Sequence, residues 1–519
     1  MTASAQIDPD AYASVVEMLD EAMVAYRDRP AFHCSGETLT YVEVDRRSRA
    51  FAAYLQQRLG VKKGDRVAVM LPNVLAFPVA MIGILRTGAA QVNVNPLYTP
   101  RELEYQLNDA GSEIIVIFAG ATPTLAEIIG KTGVKTVITV GQPVDTRLTK
   151  AVDFSAAVTE GEKLEFAPVP IDGDDLLFLQ YTGGTTGVSK GAALNHRNLV
   201  ANTEQFKAFL PDVLPPGEAV VVTALPLYHI FALMVNLISA FSRGAENWLV
   251  TNPRDFDGFV NILKAARPTL FTGVNTLYGA LATHPRIGEV DFSRLRYSIG
   301  GGAPVLPVTS ARWKKVTGRD ILEGYGLSET SPILTLNAPG GDAFSATVGL
   351  PLPSTKIKLL EDGEICAQGP QVMKGYWQKP EANASAFTDD GYFRTGDIGA
   401  FDEAGRLRIV DRKKDMILVS GFNVYPNEIE AVASTCPGVA ECACVGVPDA
   451  KTGETVRLYV VRAAGASLDE AAVVAHCRKD LSAYKVPKAV HFIEALPKSV
   501  VGKILRRELR ALPRTGGGG

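Results

Sequence analysis

Tyr181-Thr-Gly-Gly-Thr-Thr-Gly-Val-Ser-Lys-Gly191 is the densest run of chemistry in this 519-residue chain. Gly183, Gly184 and Gly187 leave room for backbone N–H groups to close around anionic oxygens. Thr182, Thr185, Thr186, Ser189 and Lys190 add side-chain donors, so the run suits phosphate. The order Ser189-Lys190-Gly191 departs from the Gly-Lys-Ser/Thr ending of a Walker loop, and that template does not apply. Read alone, the same residues also describe a Gly/Thr surface loop. What decides between the two readings is the rest of the chain.

Working outward, short β-branched runs alternate with helical patterns through the first two-thirds. Arg66–Leu71, Glu113–Phe118, Thr136–Val140 and Ala219–Thr223 read as strands. Arg101–Asn108, with apolar residues three to four apart, reads as a helix. Such alternation predicts parallel sheets with helices on both faces, and near-continuous apolar strands fit sheets buried on both sides. No repeat of solenoid period is present. After about residue 345 short strands separated by Gly and Asp appear (356–360, 363–366, 405–410), which predicts a small β-rich subdomain. From Asp415 onward a further unit is expected, with a helix at Pro426–Val432, strands near Cys442–Val447 and Val456–Val461, and a closing helix over 470–481. The charged Asp411-Arg-Lys-Lys-Asp415 is the expected boundary, although solvation alone explains most such runs.

A chain of this length is expected to form two or more domains. Hydrophobic content of 46% with 21% charged residues describes an ordinary globular protein, and a net charge of −3 gives no reason to propose nucleic acid as a partner. The six cysteines form no CxxC pair, so buried, reduced thiols are expected; alternation puts Cys442 and Cys444 on one face of a strand. The first ten residues lack the basic and apolar regions of a signal peptide, which predicts a cytoplasmic protein. Val67–Leu85 and Ala219–Phe241 carry no charge, yet Pro72, Asn73 and Pro78 interrupt one, and Pro226, His229 and Asn236 the other. Both read as buried strand, turn and core helix, with no transmembrane segment. The closing glycines, 516–519, are set aside.

Four further segments follow the glycine run in order: Gly324-Tyr-Gly-Leu-Ser-Glu-Thr330, Tyr392-Phe-Arg-Thr-Gly-Asp397, Asp411 to Gly421, and Pro497-Lys-Ser-Val-Val-Gly-Lys503. Together the five resemble the adenylate-forming superfamily of acyl-CoA synthetases, luciferases and nonribosomal adenylation domains. The resemblance runs from Leu39-Thr-Tyr41 to Lys503. Asn93–Glu102, Leu225–Phe231 and Gly273–Tyr278 look most like bacterial long-chain fatty acid–CoA ligases. It implies an α/β fold: two doubly wound α/β subdomains and a small β-barrel-like subdomain over 1–410, a hinge at 411–415, and an α+β lid over 416–515. It also implies ATP and Mg²⁺, and coenzyme A as second substrate. A carboxylate attacks the α-phosphate of ATP, then the CoA thiol attacks the acyl carbon and releases AMP.

The resemblance assigns roles residue by residue. Lys503 bridges the carboxylate and the α-phosphate; by type alone it is a solvated lysine. Glu329 carries Mg²⁺, one carboxylate plus substrate phosphates being a normal shell for this hard ion, whereas a helix-cap or ion-pair role is its structural alternative. Ser328 keeps a hydroxyl donor to the α-phosphate, and Thr182 is counted with the catalytic set. Gly324, Tyr325 and Gly326 form the adenine shelf, with Tyr325 stacking on the base, and Gly301, Gly302 and Ala303 supply a tight turn beside it. Asp397 accepts both ribose hydroxyls, Arg412 contacts the ribose, and Lys414 falls at the hinge. Ser420, Gly421 and Phe422 lie near the CoA pantetheine. His229 gates the carboxylate site, with a core histidine as its alternative. Ile230–Leu237 and Val274–Leu281 either line an acyl tunnel or are plain core. Medium- to long-chain fatty acids are favoured; dicarboxylic and aryl-alkanoic acids, and a standalone carrier-loading adenylation enzyme, remain alternatives. A monomer or a homodimer fits equally, and peripheral membrane contact is left open.

Overall fold

Parallel strands dominate, as the strand–helix alternation predicts. The computed structural model describes residues 6–182, 189–340, 345–449, 451–499 and 504–512. They fall into two units: the residues up to Lys356 with Ala367–Phe393, and Ile357–Cys366 with the residues from Arg394 on.

The first unit holds two large sheets. One runs, edge to edge, Val152–Asp153, Thr136–Val140, Ile114–Phe118, Arg66–Met70, Ala90–Asn93, Leu176–Thr182 and Lys190–Asn195. All its pairings are parallel except the last, where Lys190–Asn195 folds back on Leu176–Thr182. The other sheet runs Leu350–Pro351, Ile333–Leu336, Ile321–Gly326, Tyr297–Gly300, Leu270–Gly273, Val220–Thr223, Glu246–Leu249, Pro30–Cys34 and Glu37–Thr40. Its middle strands are parallel, and antiparallel partners close each edge. Val67–Met70 and Ile115–Ile117 are buried without a break, the pattern of strands covered on both faces.

Local chemistry sets the helices between them. Pro100–Ala110 begins at a capping box, in which Thr99 and Glu102 each bond the other's backbone, and ends where Gly111 turns left-handed at φ 62°. The two uncharged stretches resolve as expected. One becomes the strand Arg66–Met70 and the helix Ala76–Arg86; the other becomes the strand Val220–Thr223 and the helix Ala232–Ser239. Ala232–Ser239 is wound as a π-helix and is buried throughout. Its one amide, Asn236, donates to Thr223 Oγ1 and accepts from Thr272 Oγ1, each at 3.0 Å. Among the described residues no helix is long and apolar enough to cross a membrane.

In the C-terminal third the expected β-rich subdomain is a four-stranded sheet in sequence order: Lys356–Leu359, Glu364–Gln368, Phe393–Phe401 and Leu407–Arg412. The second unit also holds a sheet ordered Phe422–Val424, Ile417–Val419, Gly453–Arg462, Val439–Asp449, with Ala489–Phe492 beside Gly453–Arg462. Alternation along Val439–Asp449 gives each face its own core. Cys442 and Cys444 pack with Ile429, Ala433, Val473 and Cys477 of the helices Pro426–Ala433 and Glu470–Asp480. Ala443, Val445 and Val447 pack with Leu496 and Leu509. The last helix, Arg506–Ala511, is pinned by Arg506, whose Nη2 reaches the half-buried Glu430 carboxylate at 2.7 and 2.8 Å. All six cysteines are buried and free.

Candidate active site

Most candidate residues of the first unit follow the carboxyl ends of parallel strands, where open α/β sheets bind their ligands. Thr182 closes Leu176–Thr182 and pairs with Lys190 on the returning strand. Ser189 Oγ donates to the Thr182 carbonyl at 2.6 Å, drawing the mouth of this hairpin together. Gly183, Gly184, Thr185, Thr186 and Gly187 lie outside the described residues, as does Lys503. Gly301, Gly302 and Ala303 follow Tyr297–Gly300, His229 follows Val220–Thr223, and Gly324–Gly326 end the strand that leads to Ser328 and Glu329.

Glu329 sits in the short 3-10 turn Ser328–Thr330 and is 7% exposed. Gly326 makes that turn: a Cβ there would stand 1.8 Å from the Pro332 carbonyl oxygen, which receives the Leu327 N–H at 3.1 Å. Two further bonds reach Glu329 from distant sequence. Met373 N–H donates to its carbonyl at 2.8 Å, and the Tyr376 hydroxyl donates to Oε1 at 2.9 Å. Burial, and then the Glu329 charge, hold the Tyr376 hydroxyl well above its ordinary range, so it stays a donor. Lys190 Nζ lies 5.1 Å from the centroid of the same ring. Among the described residues no group of three His, Cys, Asp or Glu side chains gathers as a complete metal cage. A single held carboxylate fits the way a hard cation is shared with substrate phosphates.

The strand that ends at Thr182 is anchored just behind it. Tyr181 Oη donates to Asp109 Oδ2 at 2.7 Å, Tyr105 Oη donates to Oδ1 at 3.1 Å, and Lys379 pairs with Oδ1. Trp377 N–H reaches the Gly191 carbonyl at 2.8 Å, and Ala193 N–H the Gly375 carbonyl at 3.1 Å. Residues 373–379 therefore form a strap that touches Glu329, the hairpin and Asp109 in turn.

His229 is turned by its own N–H to the Pro226 carbonyl at 3.0 Å, and its Nδ1 accepts from Phe231 N–H at 3.3 Å. With Nδ1 an acceptor, Nε2 carries the proton of the neutral ring. The Phe231 ring lies 3.2 Å from where a Gly301 Cβ would stand, so the glycine lets the His229 segment approach the Gly301–Ala303 turn. Tyr325 is half-buried opposite Thr335. Glu323, one residue before Gly324, accepts Val305 N–H at 3.1 Å, and burial lifts its carboxyl to about 7.

The second unit holds the remaining candidates. Asp397 and Arg412 are direct partners across two antiparallel strands, with Arg412 Nε 3.0 Å from Asp397 Oδ1, and Asp397 is buried. The charged run is only partly solvated. Asp411 accepts Asn427 N–H at 2.8 Å and Asp415 pairs with Arg510 at 2.8 Å, while Lys414 is exposed. Ser420 and Gly421, at φ 52° and 83°, form the turn of a separate hairpin, and Phe422 beyond them stacks on Tyr484 at 4.9 Å. The structure thus gathers Thr182, Ser189, Lys190 and Glu329 around Tyr376 in one unit, and Asp397 with Arg412 in the other.

The chain matches the AMP-binding enzyme family over residues 19–377 and the AMP-binding enzyme C-terminal domain over residues 428–503. It belongs to that family. It is 51% identical to the long-chain-fatty-acid–CoA ligase of Salmonella typhimurium, over 98% of this chain and 96% of that protein. It is 38% identical to the Bacillus subtilis protein of the same name, over 95% and 93%. Among solved structures it is similar to ATP-bound MatB from Rhodopseudomonas palustris, with a TM-score of 0.86, 34% identity, and coverage of 96% and 98%.

Sequence reading missed Tyr376 and Asp109. The aromatic pair in Gly375-Tyr-Trp377 was a signal. So was Asp109, a carboxylate in the last turn of a helix, where the dipole disfavours negative charge.

Proposed function

We propose that this protein is an AMP-forming fatty acid–CoA ligase for medium- to long-chain acids. The observation that carries the reading is the buried Glu329 carboxylate, held by Tyr376 beside Lys190 and the strand end at Thr182. Two anions must meet in the first half-reaction, so positive charge has to be gathered where the phosphates lie. Glu329 would hold Mg²⁺, which supplies part of that charge when bound. Lys503 and Lys190 supply more, while Thr182, Ser189 and Ser328 offer hydroxyl donors. A carboxylate oxygen of the acid attacks the α-phosphorus, and pyrophosphate leaves with the bonding pair. In the second half-reaction the CoA sulfur attacks the acyl carbon and AMP departs. Asp397, an acceptor-only carboxylate, suits the two ribose hydroxyls, with Arg412 beside it. Residues 416–515 act as a lid that pivots at Lys414, bringing first Lys503 and then Ser420–Phe422 to bear.

The acid preference rests on the names of the relatives and on the apolar residues behind His229. Each buried methylene is worth about 0.8 kcal/mol, so a longer chain gains affinity steadily wherever the protein can enclose it. Asn236, the amide among Ala232–Asn236, is neutral and committed to Thr223 and Thr272, a poor partner for the ammonium of an amino acid.

The test is CoA-dependent AMP release with ATP and Mg²⁺ across saturated acids from butanoate to octadecanoate, with pimelate and phenylpropionate alongside. A maximum at dodecanoate or beyond is expected. A maximum on a short, dicarboxylic or aryl acid would overturn the acid preference, and acyl-AMP formation without CoA turnover would overturn the ligase. Lys503→Ala should abolish adenylation yet thioesterify supplied acyl-AMP.

A further inference from the structure

Three buried amides run in series beneath the candidate site. Gln91 and Asn93 lie on Ala90–Asn93, and Gln180 lies on the adjacent parallel strand Leu176–Thr182, where Asn93 and Gln180 are register partners. All three are at most 4% exposed. Gln91 Nε2 donates to Asn93 Oδ1 at 2.6 Å, Asn93 Nδ2 to Gln180 Oε1 at 2.9 Å, and Gln180 Nε2 to the Tyr228 carbonyl at 3.0 Å. Each donor–acceptor step points the same way, out of one sheet and onto the backbone that precedes His229 in the loop after a strand of the other sheet. Gln106 Nε2 fixes the Asn93 backbone from a third element by donating to its carbonyl at 2.8 Å. Gln91 Oε1 and Gln106 Oε1 are left buried with no partner, a cost an apolar core would not carry.

We propose that Gln180 is a positioning residue for the acid: it fixes the Tyr228–His229 segment relative to the strand that ends, two residues later, at Thr182. Gln180 spans the two groups that must act on one bond, since Thr182 opens the phosphate-binding run and His229 borders the carboxylate. The amide chain behind it stops Gln180 from turning, because a flipped amide would set N–H against N–H at Asn93. This inference rests on the fatty acid–CoA ligase reading of the same site. It adds that acid placement is set by a tie between two sheets, separately from nucleotide binding.

Gln180→Met keeps the length and removes both bonds. Measured by pyrophosphate release, it should raise KM for dodecanoate or lower kcat so that kcat/KM for the acid falls about tenfold or more, as for one lost interaction at the acid. KM for ATP should stay within about twofold of wild type, since no nucleotide contact is removed. Gln91→Met, two amides further back, should shift the acid terms the same way but less, and it carries the test if Gln180→Met does not fold. In a double-mutant cycle, Gln180→Met and His229→Ala should be non-additive, because both act through one segment. Equal changes in the acid and ATP terms, or additive effects, would overturn the positioning role. A wild-type enzyme that forms no acyl-AMP from any fatty acid would overturn the underlying reading instead.

Discussion

Glu329 in the first unit and Asp397 in the second are both buried acceptor carboxylates, and they are held in opposite ways. Asp397 is fixed locally: its partner Arg412 stands across a two-strand pairing, and its own N–H goes to Thr395, two residues back. Glu329 is fixed by residues 44 and 47 positions further on, through Met373 and Tyr376. The hairpin at Thr182 follows the second pattern, tied through Tyr181 to Asp109 and through Gly191 to Trp377. A locally held group keeps its place when a small unit moves as a body. A group held from far along the chain keeps its place only while the large unit is intact.

The sharpest way to break this comparison is to cut the distant tie alone. Glu329→Gln removes the charge that would hold Mg²⁺ and should lower kcat for adenylation by about a hundredfold or more, the scale of losing one main electrostatic group. Tyr376→Phe leaves the charge but removes the hydroxyl that donates to Glu329 Oε1, and should cost about tenfold together with a weaker apparent affinity for Mg²⁺ in a titration of the rate. If Tyr376→Phe leaves both the rate and the Mg²⁺ dependence unchanged, the strap is only structural.

Stability separates the two kinds of tie next. Asp109→Ala strips the partner from Tyr181, Tyr105 and Lys379, and should destabilise the first unit by about 2–3 kcal/mol, the cost of leaving the buried Tyr181 donor and two half-buried ones unpaired. Arg406→Ala cuts a partly exposed local pair with Asp402 and should cost about 0.5 kcal/mol or less. Denaturant unfolding followed by more than one probe checks both, since two units need not unfold in one step. Comparable losses would erase the distinction.

The same distinction explains what the sequence made legible. Parallel strands announced themselves by unbroken apolar runs such as Val67–Met70, and the alternation at Cys442 and Cys444 put both on one face, where they share a core. Asp397 and Glu329 stand out in the sequence because each lies in a compact motif. Tyr376, Asp109 and Gln180 do not, because each acts on a residue dozens of positions away, and pairing of that range is fixed by topology. The π-helix at Ala232–Ser239 was likewise hidden: its residues favour burial without specifying the wider winding, which the polar set Thr223, Asn236 and Thr272 accompanies. Asp109 shows that the information was partly present, as a charge out of place at a helix end.

The smallest net effect in the wild type comes from two titrating groups of the first unit, buried His196 and half-buried Glu323, that pull in opposite directions. Burial lowers His196 to about 4, and its Nδ1 accepts Val15 N–H at 3.2 Å, so the fold needs the neutral ring. Its contribution is complete above an unfolded value near 6.5 and is lost as pH falls toward 4, by at most about 3 kcal/mol. Glu323 is lifted to about 7, so its contribution is complete below about 4.5 and is lost as pH rises through 7. Its effect is smaller, because its side chain is only half-buried. Between these limits the two slopes offset each other, and the wild-type unit should show a shallow stability profile. Glu323→Gln keeps an acceptor for Val305 N–H and removes one slope, so stability should then rise with pH across this window. His196→Gln should leave the opposite slope, with stability falling as pH rises. Chemical denaturation of the three proteins at several pH values between 4.5 and 7.5 reads these signs directly, and parallel profiles would show that neither group titrates within the fold.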